Sequence, residues 1–288
     1  MNQFEATNKR IEIFEDTYHF YQQNPVLRQA VQESLAKQFF VPANQVLAND
    51  QQPRYSQDAF IVLSDKRTFQ AAMQYSDKKV AVLNFASATN PGGGVVGGSN
   101  AQEECLCRTS TLYANLTDRE MMRAFYQSHR QQLRSGQMDF TYNDDLIYTP
   151  DVVIFKSDTA FPTTLPEHHW QKVDVITCAA PNLNHGSQMI SPDELVQIHE
   201  NRCRKILAVA QAQNVEVVIL GAFGCGAFGN PPEIVAKGMM RAIQDFSKAF
   251  QTIEFAKGLW LISIIDSWQK CKSAIKNFIP IPPHLAYI

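Results

Sequence analysis

Two adjacent glutamates, Glu103 and Glu104, are the residues whose type and setting best suit chemistry. They follow Gln102, and the three stand after Gly92, Gly93 and Gly94 with the residues from Val95 to Ala101 between. A further pair, Gly97 and Gly98, lies within that interval. Glycine clusters allow positive φ angles and let a ligand approach the backbone closely. Backbone N–H groups of such a loop, and of a helix start behind it, attract phosphate or sugar oxygens. Carboxylates beside an anion site weaken pure binding, so this pair points to acid–base work on a phosphate-bearing ligand. Each feature alone has a structural reading, since acidic residues also favour first helical turns. The combination within one strand–loop–helix unit carries the functional one.

The elements that must position these groups are legible around them. Lys79 to Ala86 (KVAVLNFA) is an apolar run of the length of a buried strand. Ser99 or Asn100 is expected to cap a helix that starts near Ala101 and runs to about Leu116. Upstream, helical spacing of Ile11, Phe14, Tyr18 and Tyr21, then of Val31, Leu35 and Phe39, predicts two helices with Pro25 opening the second. They are expected to form an accessory layer over the sheet. Ala59 to Leu63 reads as a strand and Lys66 to Tyr75 as a short helix; Thr117 is expected to cap a polar helix toward Leu133. Pro150 within Leu146 to Lys156 predicts a hairpin or edge pair. Val173 to Ala180 and Val215 to Leu220 read as strands, Pro192 to about Gln213 and Pro231-Pro232 to about Phe250 as helices. Leu259 to Ile265 reads as the last strand and Ser267 to Phe278 as a closing helix. Such alternation implies a largely parallel sheet with helices on both faces.

A second glycine loop, Gly224 to Gly229 (GCGAFG), follows the strand ending at Leu220. It matches the dinucleotide fingerprint GxGxxG. A Rossmann unit, however, carries those glycines in its first βα turn and an acid at the end of the next strand. Here the motif lies late in the chain, and Asp245 falls inside a predicted helix. An NAD-dependent oxidoreductase is therefore disfavoured, and a loop whose amides close around a diphosphate needs fewer assumptions.

The wording NPGGG…AQEECLCRTSTLY, with GCGAFG downstream, resembles the signature of poly(ADP-ribose) glycohydrolases, most of all their compact bacterial-type members. The resemblance covers about the last 230 residues and is weakest from Thr117 to Trp170. It implies an α/β fold: a macrodomain-like three-layer sandwich with a mixed, largely parallel sheet and an N-terminal helical extension. Residues 1–50 would be the accessory region and 51–288 the macrodomain-like core. By the same resemblance Glu104 protonates the leaving ribose oxygen and then activates water, Glu103 holds ribose hydroxyls, and Gln102 positions the loop. Gly92, Gly93, Gly94, Gly224, Gly226, Ala227 and Gly229 would contact substrate, and Phe228 would pack on a ribose. Phe228 as a core residue, and Asn90 as either a ribose contact or a turn residue before Pro91, stay open. Arg108 is assigned neither to orienting the acid nor to a surface pair. No cofactor and no metal is implied; the ligand is ADP-ribose or an ADP-ribosylated substrate. The alternatives are a mono-ADP-ribosyl hydrolase and a non-catalytic ADP-ribose reader.

Composition bounds the rest. With 45% hydrophobic and 19% charged residues, the 288-residue chain reads as globular with a sizeable core. A formal net charge of −2 argues against nonspecific or direct nucleic-acid binding. The six cysteines form no CxxC pair and read as reduced thiols of a cytoplasmic, monomeric protein; His168-His169 reads as exposed. The N-terminus lacks a signal-peptide core, and no run suggests a membrane span.

Overall fold

The computed structural model describes residues 2–45, 53–185 and 190–256. Its centre is a seven-stranded sheet in the order β1-β4-β5-β3-β6-β7-β2. The strands are β1 (Phe39–Val41), β2 (Phe60–Ser64), β3 (Val80–Phe85), β4 (Leu146–Ile154), β5 (Gln171–Cys178), β6 (Val217–Leu220) and β7 (Thr252–Ala256). β3 pairs in parallel with both β5 and β6, and β7 in parallel with β6 and β2. Only β4 runs antiparallel to its neighbours, β1 and β5.

Strict alternation in the central strands feeds two cores, one on each face. Leu83, Ile176, Val218 and Leu220 pack under α8 (Pro192–Ala212) and α9 (Pro232–Asp245). Their neighbours Val82, Val175, Val217 and Ile219 pack on the opposite face. There they meet α3 (Thr68–Ala72), α4 (Gln102–Thr109), α5 (Leu112–Leu116) and the segment α6 (Arg119–Met121), π turn (Met122–Gln127), α7 (Ser128–Ser135). α8 and α9 touch closely: a Cβ on Gly238 would meet the Val196 carbonyl oxygen at 2.7 Å.

Several sequence expectations are corrected. Phe39 does not close the second helix. α1 (Gln3–Gln23) and α2 (Pro25–Leu35) form as expected, but Phe39 starts strand β1, opposite Tyr148. α2 lies on β4, whereas α1 packs on the glycine loop and α4. The helix after the glycine loop breaks at Ser110, which bridges to Ile154, so α4 and α5 are separate. Neither Ser99 nor Asn100 caps α4; Ala101 holds the N-cap position without a side-chain bond. Asp118 rather than Thr117 caps the next helix, while the Thr117 hydroxyl donates back to the Tyr113 carbonyl. Pro150 does not split a hairpin. β4 runs through it on a bulge between Thr149 and Val152, with the N–H of Asp151, at φ +58°, donating to Asp174. α9 ends at Asp245, and β7 follows, a strand that the apolar pattern does not announce. The strand expected at Leu259 to Ile265 and the helix at Ser267 to Phe278 lie outside the described residues.

Candidate active site

The loops after β3, β5 and β6 leave the carboxyl ends of adjacent parallel strands, where open α/β sheets commonly bind ligands. Between them opens a cavity of about 550 Å³. Its lining includes Gly93, Gln102, Glu103 and Glu104 from the first glycine unit, and Gly224, Gly226, Ala227 and Phe228 from the second. Ser87, Phe85 and the buried pair Arg67–Asp158 complete much of the wall. Two motifs more than a hundred residues apart are thus brought to one space.

The two glutamates diverge, as neighbours on a helix must. The Glu103 carboxylate turns to the end of β3, accepting from the Ser87 N–H at 2.7 Å and from Asn84 Nδ2 at 3.3 Å. Burial pushes its pKa up to about 8, and the Glu104 charge adds to the rise, against the donors Ser87, Asn84 and the Gly92 N–H. Glu104 turns to the glycine loop, where its Oε1 accepts from the Gly94 N–H at 2.8 Å. Its Oε2 is buried without a protein partner. Both carboxylates crowd Gly93: a Cβ there would stand 3.1 Å from Glu103 Oε2 and closer still to Glu104 Oε1. With φ at +60°, Gly93 cannot be replaced without displacing the acid pair.

Gln102 is fully committed inside the protein. Its Oε1 accepts from Phe85 N–H at 2.9 Å, and its Nε2 donates to the Leu83 carbonyl at 2.8 Å and to Thr68 Oγ1 at 3.1 Å. It therefore sets α4 against β3, which fixes where both glutamates point. Arg108 is buried and takes a task the sequence left unassigned. It donates to the Ser99 carbonyl at 2.6 Å and to Asn100 Oδ1 at 2.8 Å, clamping the loop that enters α4. From outside, Arg10 of α1 donates to the Gly98 carbonyl at 2.6 Å.

Asn90, Gly92, Gly94 and Gly229 fall outside the cavity wall. Asn90 is exposed, with its N–H on Ser87 Oγ and its carbonyl accepting from Gly93 in a turn. Gly92 packs by Tyr113, and Gly229 by Asn184. Phe228 is half-buried against the core, its ring 6.4 Å from that of Tyr142. His168 and His169 are exposed.

Asn84, Ser87 and the Arg67–Asp158 pair escaped the sequence reading. Asn84 left one signal, a lone polar residue in an otherwise apolar run. Arg67 and Asp158 left none, because 91 positions separate them before the Nε–Oδ1 contact of 2.6 Å closes.

These features define a class: a three-layer α/β protein with a buried carboxylate pair set between two glycine-rich loops. The model of the microbial-type PARG catalytic domain matches residues 7–157, just over half the chain, and the chain belongs to that family. Solved structures agree. Poly(ADP-ribose) glycohydrolase from Thermomonospora curvata is 28% identical with a TM-score of 0.80, over 94% of this chain and 100% of that one. The same enzyme bound to the inhibitor ADP-HPD gives 28% identity, a TM-score of 0.78 and the same coverage. The enzyme from Deinococcus radiodurans in complex with ADP-ribose is 29% identical, with a TM-score of 0.72, over 87% of this chain and 96% of that one. No curated protein matches the chain.

Proposed function

We propose that this chain is a poly(ADP-ribose) glycohydrolase, cleaving the ribose–ribose O-glycosidic bond to release ADP-ribose. The carrying observation is the setting of Glu104: one carboxylate oxygen is held by the Gly94 amide, and the other, inside the cavity wall, has no protein partner. A glycosidic bond breaking through an oxocarbenium-like state needs an acid at the leaving oxygen and a base for incoming water. Glu104 Oε2 is the atom free to carry that proton in both directions. Glu103, fixed by Ser87 and Asn84, orients ribose hydroxyls, and Gln102 holds the helix that presents both.

The loop after β6 takes the diphosphate. At Gly224, with φ +77°, a Cβ would stand 2.5 Å from Ala180 Cβ, so the turn needs glycine. A Cβ on Gly226 would have nothing within 4 Å, so a ligand can approach the backbone there. Phe228 closes the ribose side. The reading carries with it a monomer in the cytoplasm; no described helix is long and apolar enough to cross a membrane.

Incubation with labelled poly(ADP-ribose), and separately with mono-ADP-ribosylated protein, tests the reading. Free ADP-ribose from the polymer is expected. Release from the mono-modified protein alone would move the activity to the mono-ADP-ribosyl hydrolases, and release from neither would leave a reader.

A further inference from the structure

The chain as a whole carries a net charge of −2, yet one surface segment is cationic. Arg119, Arg123, Arg130 and Arg134 stand along α6, the π turn and α7, opposed there only by Asp118 and Glu120. Arg119, Arg123 and Arg134 are exposed and Arg130 is half-buried. Among the described residues none of the four has an ion-pair or hydrogen-bonded partner. Gln127, Arg130, Gln131, Arg134 and Ser135 line a shallow groove of about 700 Å³. Arg130 and Arg134 border the groove, Arg119 and Arg123 precede it on the same segment, and such unpaired cations form a surface that a polyanion complements.

The buried side of this segment is tied toward the active site through His129 in the first turn of α7, and the stretch after α7 reaches the second glycine loop. His129 Nδ1 lies 3.0 Å from the Ala88 carbonyl oxygen, and its Nε2 lies 2.9 Å from Asp145 Oδ2. Each ring nitrogen thus faces an acceptor. Ala88 adjoins Ser87, whose N–H holds Glu103. Beyond α7, Tyr142 approaches Phe228, and the Phe140 carbonyl accepts from the Asn182 N–H at 2.7 Å. Arg202 fixes the same stretch through the Thr141 carbonyl and Asp144. The arginine segment is therefore anchored through His129 to the residue after Ser87 and followed by a stretch that reaches the second glycine loop.

We infer that the groove and arginines of the α6–α7 segment bind the diphosphates of the polymer beyond the unit being cleaved. The inference rests on the reading of the site as a poly(ADP-ribose) glycohydrolase. Each unit of that polymer carries a diphosphate, so a chain held at the acid pair offers further diphosphates to this cationic segment. Binding there adds a second attachment for long chains and none for a single ADP-ribose unit. It also makes polymer affinity salt-dependent through released counterions.

The test uses the full chain with Glu104→Gln, expected to hold substrate without turning it over, with and without Arg123→Glu and Arg134→Glu. Affinity for long labelled poly(ADP-ribose), by fluorescence anisotropy, is expected to fall on the order of tenfold with the two reversals. The slope of its logarithm against log salt should flatten by roughly 0.7 for each phosphate no longer neutralised. Affinity for free ADP-ribose, by calorimetry, should stay at the parental value. Equal polymer affinity in both proteins, or parallel loss for polymer and ADP-ribose, would overturn the inference. So would a single-stranded DNA of the same charge binding as tightly as the polymer, since DNA has no hold on the catalytic cavity. Failure of the glycohydrolase reading itself shows differently, as no ADP-ribose released by the unmutated chain whatever the arginines do.

Discussion

The two glycine loops look alike as sequence and are opposite in use. In the loop after β3 the amides are spent within the protein. Gly93, Val95, Gly97, Gly98 and Ser99 donate to carbonyls of the same loop, and Gly94 donates to Glu104. In the loop after β6, Gly224, Gly226, Ala227 and Phe228 have no backbone acceptor among the described residues, while side-chain amides hold the shape. Asn230 Nδ2 donates to the Pro181 and Gly224 carbonyls at 2.7 and 3.0 Å, and Asn184 Nδ2 to the Ala227 carbonyl at 2.7 Å. Behind them His199 Nε2 meets Asn230 Oδ1 at 2.9 Å, with burial lowering the His199 pKa to about 4 so that the ring stays neutral. The first loop thus positions an acid; the second leaves four amides without a backbone acceptor among the described residues. Glycine richness alone does not distinguish a loop that keeps its amides free from one that binds a carboxylate of its own protein.

The largest effect separating them is expected from Glu104→Gln. Shape and hydrogen bonding are kept but proton transfer is lost, so polymer turnover should fall by about 10²–10⁴-fold. ADP-ribose affinity should survive, since the second loop is untouched. Parental turnover in the variant would remove Glu104 from the chemistry.

Gly93→Val should damage both functions of the first loop. The side chain must enter space held by Glu103 and Glu104 at a backbone angle valine avoids, so activity and thermal stability should drop together. Gly226→Ala is the counterpart in the second loop. With nothing within 4 Å of the added carbon, stability should shift by no more than about 0.5 kcal/mol while ADP-ribose affinity falls. Melting curves and calorimetry of both variants check the contrast. A Gly226→Ala protein that binds normally would take the ligand away from that loop.

A third prediction concerns Glu103, raised from 4.5 to about 8 by burial first. Below about pH 4.5 the carboxyl is protonated folded and unfolded, and its contribution to stability is fully present. Between that pH and about 8 the unfolded chain releases the proton while the folded protein keeps it, so stability is lost as pH rises. Denaturant unfolding of the parent and of Glu103→Gln at about pH 5, 6, 7 and 8 isolates this group. The parent's stability relative to the variant should decline across the series; a flat difference would mean that Glu103 ionises as it does in water.

The smallest effect is expected at Phe228. Phe228→Ala should weaken ADP-ribose by about 1 kcal/mol if the ring packs on a ribose. Loss of melting temperature with unchanged affinity would make it a core residue alone.

Much of this protein was legible before any fold was in view. The apolar runs around Val82, Val175 and Val218 announce buried parallel strands, because both faces of such strands are covered and favour apolar side chains. Pro25, Pro192 and Pro232 mark helix starts, since proline's missing N–H is no loss in a first turn. The acid pair and both glycine loops were equally visible, as local composition. β7 was not. Its buried Glu254, held by Ser64 Oγ and Tyr75 Oη, interrupts the apolar pattern with a charge whose partners lie about 180 residues earlier.

Groups with short-range causes could be read from the chain alone: strands by pattern, helix starts by proline, a glycine loop beside two carboxylates. Which loop keeps its amides free was settled only on folding, because that depends on Asn184 and Asn230 in one place and on Glu104 in the other. Folding also settled that Arg108 clamps a loop, that the Gln102 amide is bonded to the end of β3, and that His129 reaches back 41 residues to Ala88. Hydrogen bonds in a buried site are made by whichever partner the packing brings within about 3 Å, and sequence separation does not enter that distance.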